Sequence, residues 1–237
     1  QRVFIAGREV AVDRRYLPEV TKHDISAVRG RFRVRDFSVE KLRLKVNSGR
    51  AHVITMMSGG IVTRNEIAEI TRDENGCFVY APDRDIVKIA VIERHHNTGN
   101  VAVALLKDYG LKRGAIALSI AHDSHNIIVV GTNDADMAYA VERLIEQDGG
   151  IVLVHKQNVL ESLPMPIAGL MSDRSGEWVD EKLTRIHRTS VDVLGVRENL
   201  EPVMQLCFMA LPVIPEIKLT DMGLFDVTKF DFISIEA

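Results

Sequence analysis

The densest polar cluster is His122-Asp123-Ser124-His125-Asn126, set between two aliphatic runs, Ile116 to Ala121 and Ile127 to Val130. A short polar knot between two buried strands must be a connection at one end of a sheet, where sites usually form. Histidine shuttles protons near neutral pH, Asp orients an imidazole, and the Asn amide reads a heterocycle edge. The same residues also make a self-capped turn. The His-x-x-His spacing suggests metal, but zinc needs three or four ligands, so Asp123, His155 or a distant His would have to complete the set.

A second cluster, His95-His96-Asn97-Thr98-Gly99-Asn100, follows an apolar run. A polar loop after a buried strand faces ligands in many folds, and His95 and Asn97 are its candidate contacts. A helix cap with two solvated histidines is the plainer reading. Asn133, Asp134 and Asp136 read as a helix cap. Met165 to Asp173 could line an apolar wall or simply pack. His23, His52, His155 and His187 read as structural or surface residues. Phosphate-loop and nucleophile-elbow motifs are absent, and so is the His-x-Glu with Cys-x-x-Cys zinc signature of base-editing deaminases.

The elements that position these clusters follow from periodicity. Arg29, Arg31, Arg33 and Arg35 alternate with Phe32 and Val34, and Lys41, Arg43 and Lys45 alternate with Leu42, Leu44 and Val46. Both stretches predict half-buried strands. Further short strands are expected at 3–5, 8–10, 61–70 and 77–80, with an Asp73-Glu74-Asn75-Gly76 turn. Ile86 to Ile92 predicts a strand buried on both faces, and strands are also expected at 115–121, 126–130 and 151–154. Asn100 to Lys107 predicts a short helix. Asp134 to Gln147 predicts the clearest helix, with Met137, Val141, Leu144 and Ile145 on one stripe. Helices are expected at 176–187 and 202–209, and an irregular tail after them. The fold class expected is α+β (mixed α/β): a mixed sheet packed with helices, after a strand-rich N-terminal segment.

The chain has 237 residues, 46% of them apolar, which suffices for a sizeable core. Net charge is −3, but residues 1–50 carry +7 and the rest −10. One basic face meeting an acidic neighbour explains this better than nucleic acid does. Phe32 and Phe37 are the only aromatics near Arg29, Arg31, Arg33 and Arg35, thin for single-stranded nucleic acid. Two isolated cysteines, Cys77 and Cys207, suit a reducing compartment, so the cytoplasm is expected. No apolar run reaches membrane-span length. The chain starts at Gln1 and enters a strand at once, as a piece of a longer polypeptide would.

The run from Gly114 through His122-Asp123-Ser124-His125-Asn126 to Asp134 resembles the C-terminal domain of bacterial and archaeal adenine deaminases. So do Glu93 to Asn100, Pro166 to Ser172, and Leu211 to Asp221, in order from about residue 85 to the end. The first 20 residues look like the return strands of the small β-domain that flanks the barrel in metal-dependent amidohydrolases, leaving 21–237 as the C-terminal domain. The resemblance implies hydrolysis of adenine to hypoxanthine and ammonia by a whole enzyme. Its (β/α)₈ barrel would hold a divalent metal (manganese, iron or zinc) on a His-x-His pair, a carboxylate, two further histidines and an Asp. That pattern is missing here, so no metal ligand carries over to this chain and no TIM barrel is expected in it. His122, Asp123, Ser124, His125, Asn126, His95 and Asn97 are expected to line the purine pocket or support it. The resemblance further implies adenine as substrate, the catalytic barrel as partner, a homo-oligomer, and no membrane. The alternative is a stand-alone purine- or partner-binding module without catalysis.

Overall fold

The computed structural model describes residues 1–237. Strands β1 (Arg2–Ile5), β2 (Arg8–Val12) and β3 (Arg15–Tyr16) form a small antiparallel sheet that leaves Phe4 and Ile5 exposed. The body of the chain is built on an eight-stranded sheet. Its strands are β4 (Arg50–Met56), β5 (Thr63–Glu69), β6 (Ile86–Ile92), β7 (Val101–Lys107), β8 (Ala115–Leu118), β9 (Ile127–Gly131), β10 (Gly150–His155) and β11 (Asn158–Pro164). They lie in the order β11-β10-β8-β9-β6-β7-β4-β5, an open mixed sheet in which only β4 and β7 run parallel.

Both faces of the sheet are covered, so its central strands are apolar apart from the buried Lys88 of β6, rather than alternating. All seven residues of β6 are buried. Ala90, Ile92, Ala117, Val129 and Val152 turn to one face, where helix α1 (Asp134–Glu146) sets Met137, Val141 and Leu144 against them. Each of the Ile, Val, Leu and Met side chains among them contributes about 1.5–3 kcal/mol by leaving water. Asn133 caps α1 by accepting from the Asp136 N–H, worth about 1 kcal/mol. Ile89, Val91, Leu118, Ile128 and Leu153 turn to the other face. There they meet Ile186 of helix α2 (Gly176–Asp192) and Val203 and Leu206 of helix α3 (Pro202–Cys207). A C-terminal sheet of β12 (Ile217–Thr220), β13 (Gly223–Asp226) and β14 (Asp231–Phe232) completes that layer.

The mixed-sheet expectation holds, with four local corrections. Residues 29–36 form no strand: Phe32 and Val34 turn inward, but the single backbone bond from Arg33 to the Arg94 carbonyl replaces a ladder. Val39–Leu42 is a 3₁₀ turn, and Lys45 bridges to Cys77 and Arg72 to Phe78 as single pairs, so 39–46 and 77–80 carry isolated bridges rather than strands. Val101–Lys107 is strand β7, not part of a helix, because β6 and β4 on its two sides supply ladders that local propensity does not see. The tail is not irregular but carries the hairpin β12–β13. No helix is long and apolar enough to cross a membrane.

Candidate functional site

The two polar clusters meet. Ile92 ends β6 opposite Ile127, which begins β9, so the loops 93–100 and 119–126 leave the sheet side by side. His95 Nε2 lies 2.8 Å from the Ser124 carbonyl oxygen, a direct bond between them. The turn between β12 and β13 joins from a third direction: Asp221 accepts from Asn126 Nδ2 at 3.2 Å and from Asn100 Nδ2 at 3.0 Å. One carboxylate therefore ties three loops together.

Two charged residues from the end of β6 hold this arrangement from beneath. Glu93 is buried, and its carboxylate accepts from the backbone N–H groups of His95, His96 and Thr98 and from the Thr98 hydroxyl. Burial pushes the Glu93 pKa up, but these bonds outweigh it and hold the group below the ordinary carboxylate range. Arg94 is buried too, and donates to the carbonyl oxygens of His125 and Ala168. Its guanidinium lies 4.4 Å from the centre of the Phe32 ring, a cation–π contact. Burial draws its pKa down to about 10, against the pull of Asp148 and Glu93, so it stays charged at neutral pH.

The side chains of the 122–126 loop differ in what they are free to do. Asn126 is buried, and its amide is used within the fold. The His122 ring packs on Phe208 with centroids 4.6 Å apart. His125 has a buried Nδ1 with no hydrogen-bond partner. Burial first, then the charges of Arg94 and His122, lower its pKa, so its imidazole is neutral at neutral pH. Asp123 and Ser124 are exposed on the rim of a cleft of about 450 Å³. Across that cleft stand Leu211, Pro212, Phe225 and Phe232, with Asp221 on the same rim. Asn97 sits in a left-handed conformation and faces solvent, apart from the cleft lining.

The model of the adenine deaminase C-terminal domain matches residues 60–231. The chain belongs to this family. All three loops of the site fall inside the matched residues. Among curated relatives, adenine deaminase 2 of Desulfotalea psychrophila is 65% identical over 100% of this chain and 41% of its own length. The adenine deaminase of Ligilactobacillus salivarius is 44% identical, again over 100% of this chain and 41% of its own length. Adenine deaminase 2 of Carboxydothermus hydrogenoformans is 46% identical over 98% of this chain and 40% of its own length. The chain thus spans about two fifths of the length of these adenine deaminases.

Nowhere in this adenine deaminase domain do three His, Cys, Asp or Glu side chains converge as metal ligands. His122 and His125 stand with ring centroids 6.2 Å apart. His155 cannot join them. It ends β10 beyond the Val154–Ala115 pair, whereas the 122–126 loop leaves the opposite end of β8. These residues do not fit a divalent metal. Reading the sequence for sites missed Glu93, Arg94 and Asp221 as participants. A charge at the end of an apolar strand was the available signal for the first two. Asp221 stands 95 and 121 positions from its amide partners, and nothing local marks it.

Proposed function

We propose that this chain is the C-terminal part of an adenine deaminase, and that the longer enzyme hydrolyses adenine to hypoxanthine and ammonia. In that reaction water adds to the ring carbon bearing the amine, the carbon–nitrogen bond breaks, and ammonia leaves. The observation that carries the reading is the convergence of the 93–100 and 122–126 loops on one sheet end, inside the matched residues 60–231. In this reading residues 1–20 are the return strands of a small β-domain and 21–237 the C-terminal domain, which packs on the catalytic barrel and closes the purine pocket.

The geometry divides the labour among the candidate residues. Asp123 on the cleft rim and the neutral imidazole of His125, in the same loop but outside the cleft lining, are the groups able to accept or hold a proton. Ser124 offers a hydroxyl beside them. His95 steadies Ser124, and Asn126 steadies the loop through Asp221. The divalent metal, manganese, iron or zinc, finds no ligand set among these side chains. Two free cysteines, Cys77 and the buried Cys207, support a cytoplasmic setting.

Two measurements test the reading. In the longer enzyme, Asp123→Ala and His125→Ala should each lower kcat/KM for adenine by about tenfold or more with the melting temperature unchanged; wild-type kinetics in both would sink the site role. The polypeptide 1–237 alone should release no ammonia from adenine above a heat-killed control. A second reading, a stand-alone purine-binding module, is favoured by the presence of the 450 Å³ cleft within the chain itself. Calorimetry of 1–237 with adenine and hypoxanthine separates the two, since clear binding without a barrel supports the module.

A further inference from the structure

We infer that the cleft between the 122–126 loop and the β12–β14 sheet is the seat on which the catalytic part of the same polypeptide docks, through an apolar side chain flanked by a cation or N–H donor. The inference rests on the proposed function and names the contact surface it requires.

The cleft's rim is apolar and uncovered. Met222 is 72% exposed and Val213 65%, and Phe232, part of the same lining, is also exposed. Phe225 beneath them packs edge-on against Phe232 with ring centroids 5.2 Å apart. Soluble proteins leave single apolar residues exposed, but a contiguous set around a cavity marks a contact surface.

Charge chemistry narrows the occupant. The lining contains no Lys or Arg, and its ionisable groups are the carboxylates of Asp123 and Asp221. Asp221 already accepts from two amides, one on each oxygen. Asp123 has no such partner within the chain and is exposed. A docking surface complementary to this one fills the cleft with apolar atoms and meets one oxygen of Asp123 with a positive or N–H group, leaving the other oxygen free for the substrate.

Position and length select the partner. A loop that reaches a substrate held elsewhere brings its surroundings against whatever holds that substrate, and the cleft shares Asp123 and Ser124 with the loop. The adenine deaminases that match this chain carry more than half of their length outside the matched part. That remainder is large enough to cover the surface.

The test is maleimide labelling of Met222→Cys in the longer polypeptide, compared with Val159→Cys on the sheet edge at β11, whose side chain is also exposed. Both positions face solvent, so neither substitution disturbs the core. The expected result is labelling at position 222 slower than at position 159 by about tenfold or more, with the difference abolished in urea. Equal rates at the two positions would overturn the inference. Shielding at position 222 that disappears on dilution would overturn it as well, because it would assign the surface to a second copy. Wild-type enzyme that fails to deaminate adenine would refute the proposed function, whatever the labelling shows.

Discussion

Replacing Lys218 by Met removes an ammonium with no exposed surface and a single hydrogen bond, to the Ile61 carbonyl at 2.8 Å. No carboxylate compensates it, and burial alone draws its pKa down to about 8. In the unfolded chain a lysine titrates near 10.4, so burying the charged form costs about 3 kcal/mol below pH 8. Between pH 8 and about 10.4 the unfolded state binds more protons than the folded one, and stability rises with pH by about 1.4 kcal/mol per unit. Lys218→Met loses this slope. It also loses a charge-assisted hydrogen bond worth about 1.5–3 kcal/mol, which roughly cancels the relieved burial cost at neutral pH. Urea unfolding at pH 7.0 and 9.5 should therefore find the two proteins within about 1 kcal/mol of each other at the lower pH, and the wild type more stable by about 2 kcal/mol at the higher. Subtracting the variant removes every other titrating group from the comparison. A difference that stays constant with pH, or that moves against the wild type as pH rises, would refute the reasoning.

Asp221→Ala leaves two part-buried amides without acceptors and should cost about 2 kcal/mol of stability, measured by urea unfolding. Asp221→Asn should recover part of that loss, since its one amide oxygen can accept from Asn100 or Asn126 while its NH₂ faces the other donor. Gly114→Ala should destabilise by about 3 kcal/mol or more, because Gly114 has φ +72° and an added Cβ would lie 2.1 Å from the Val154 carbonyl oxygen; thermal unfolding reads the loss.

What the sequence made legible was mostly which side chains are inside. The alternation at 29–46 identified Phe32, Val34, Leu42, Leu44 and Val46 as inward-facing, and they are. It did not distinguish a strand from extended chain laid across a surface, because a ladder depends on a partner supplied from elsewhere. The run from Val101 to Lys107 shows the same limit. Seven mostly aliphatic residues suit either element, and the choice falls to the flanking strands. The end of the sheet that carries His122 to Asn126 was readable because the polar knot interrupts two aliphatic runs. The grouping of that knot with Glu93, Arg94 and Asp221 was not, because those bonds cross long stretches of sequence. Strand β11 carries too weak an apolar pattern to announce itself. It exists because Gly150 to His155 offers it an edge.

The bonds from Glu93, Arg94 and Asp221 have a consequence for how this surface meets a ligand. A loop that orders only when its ligand arrives loses backbone freedom at that moment, at about 1–2 kcal/mol per residue, and its affinity falls accordingly. Here the backbone of His95, His96, Thr98 and His125 is already bonded to buried side chains in the free chain. The disorder is surrendered when the sheet forms. What reaches this end of the molecule meets a template that folding has set in advance, and only exposed groups such as Asp123 and Ser124 are left to adjust.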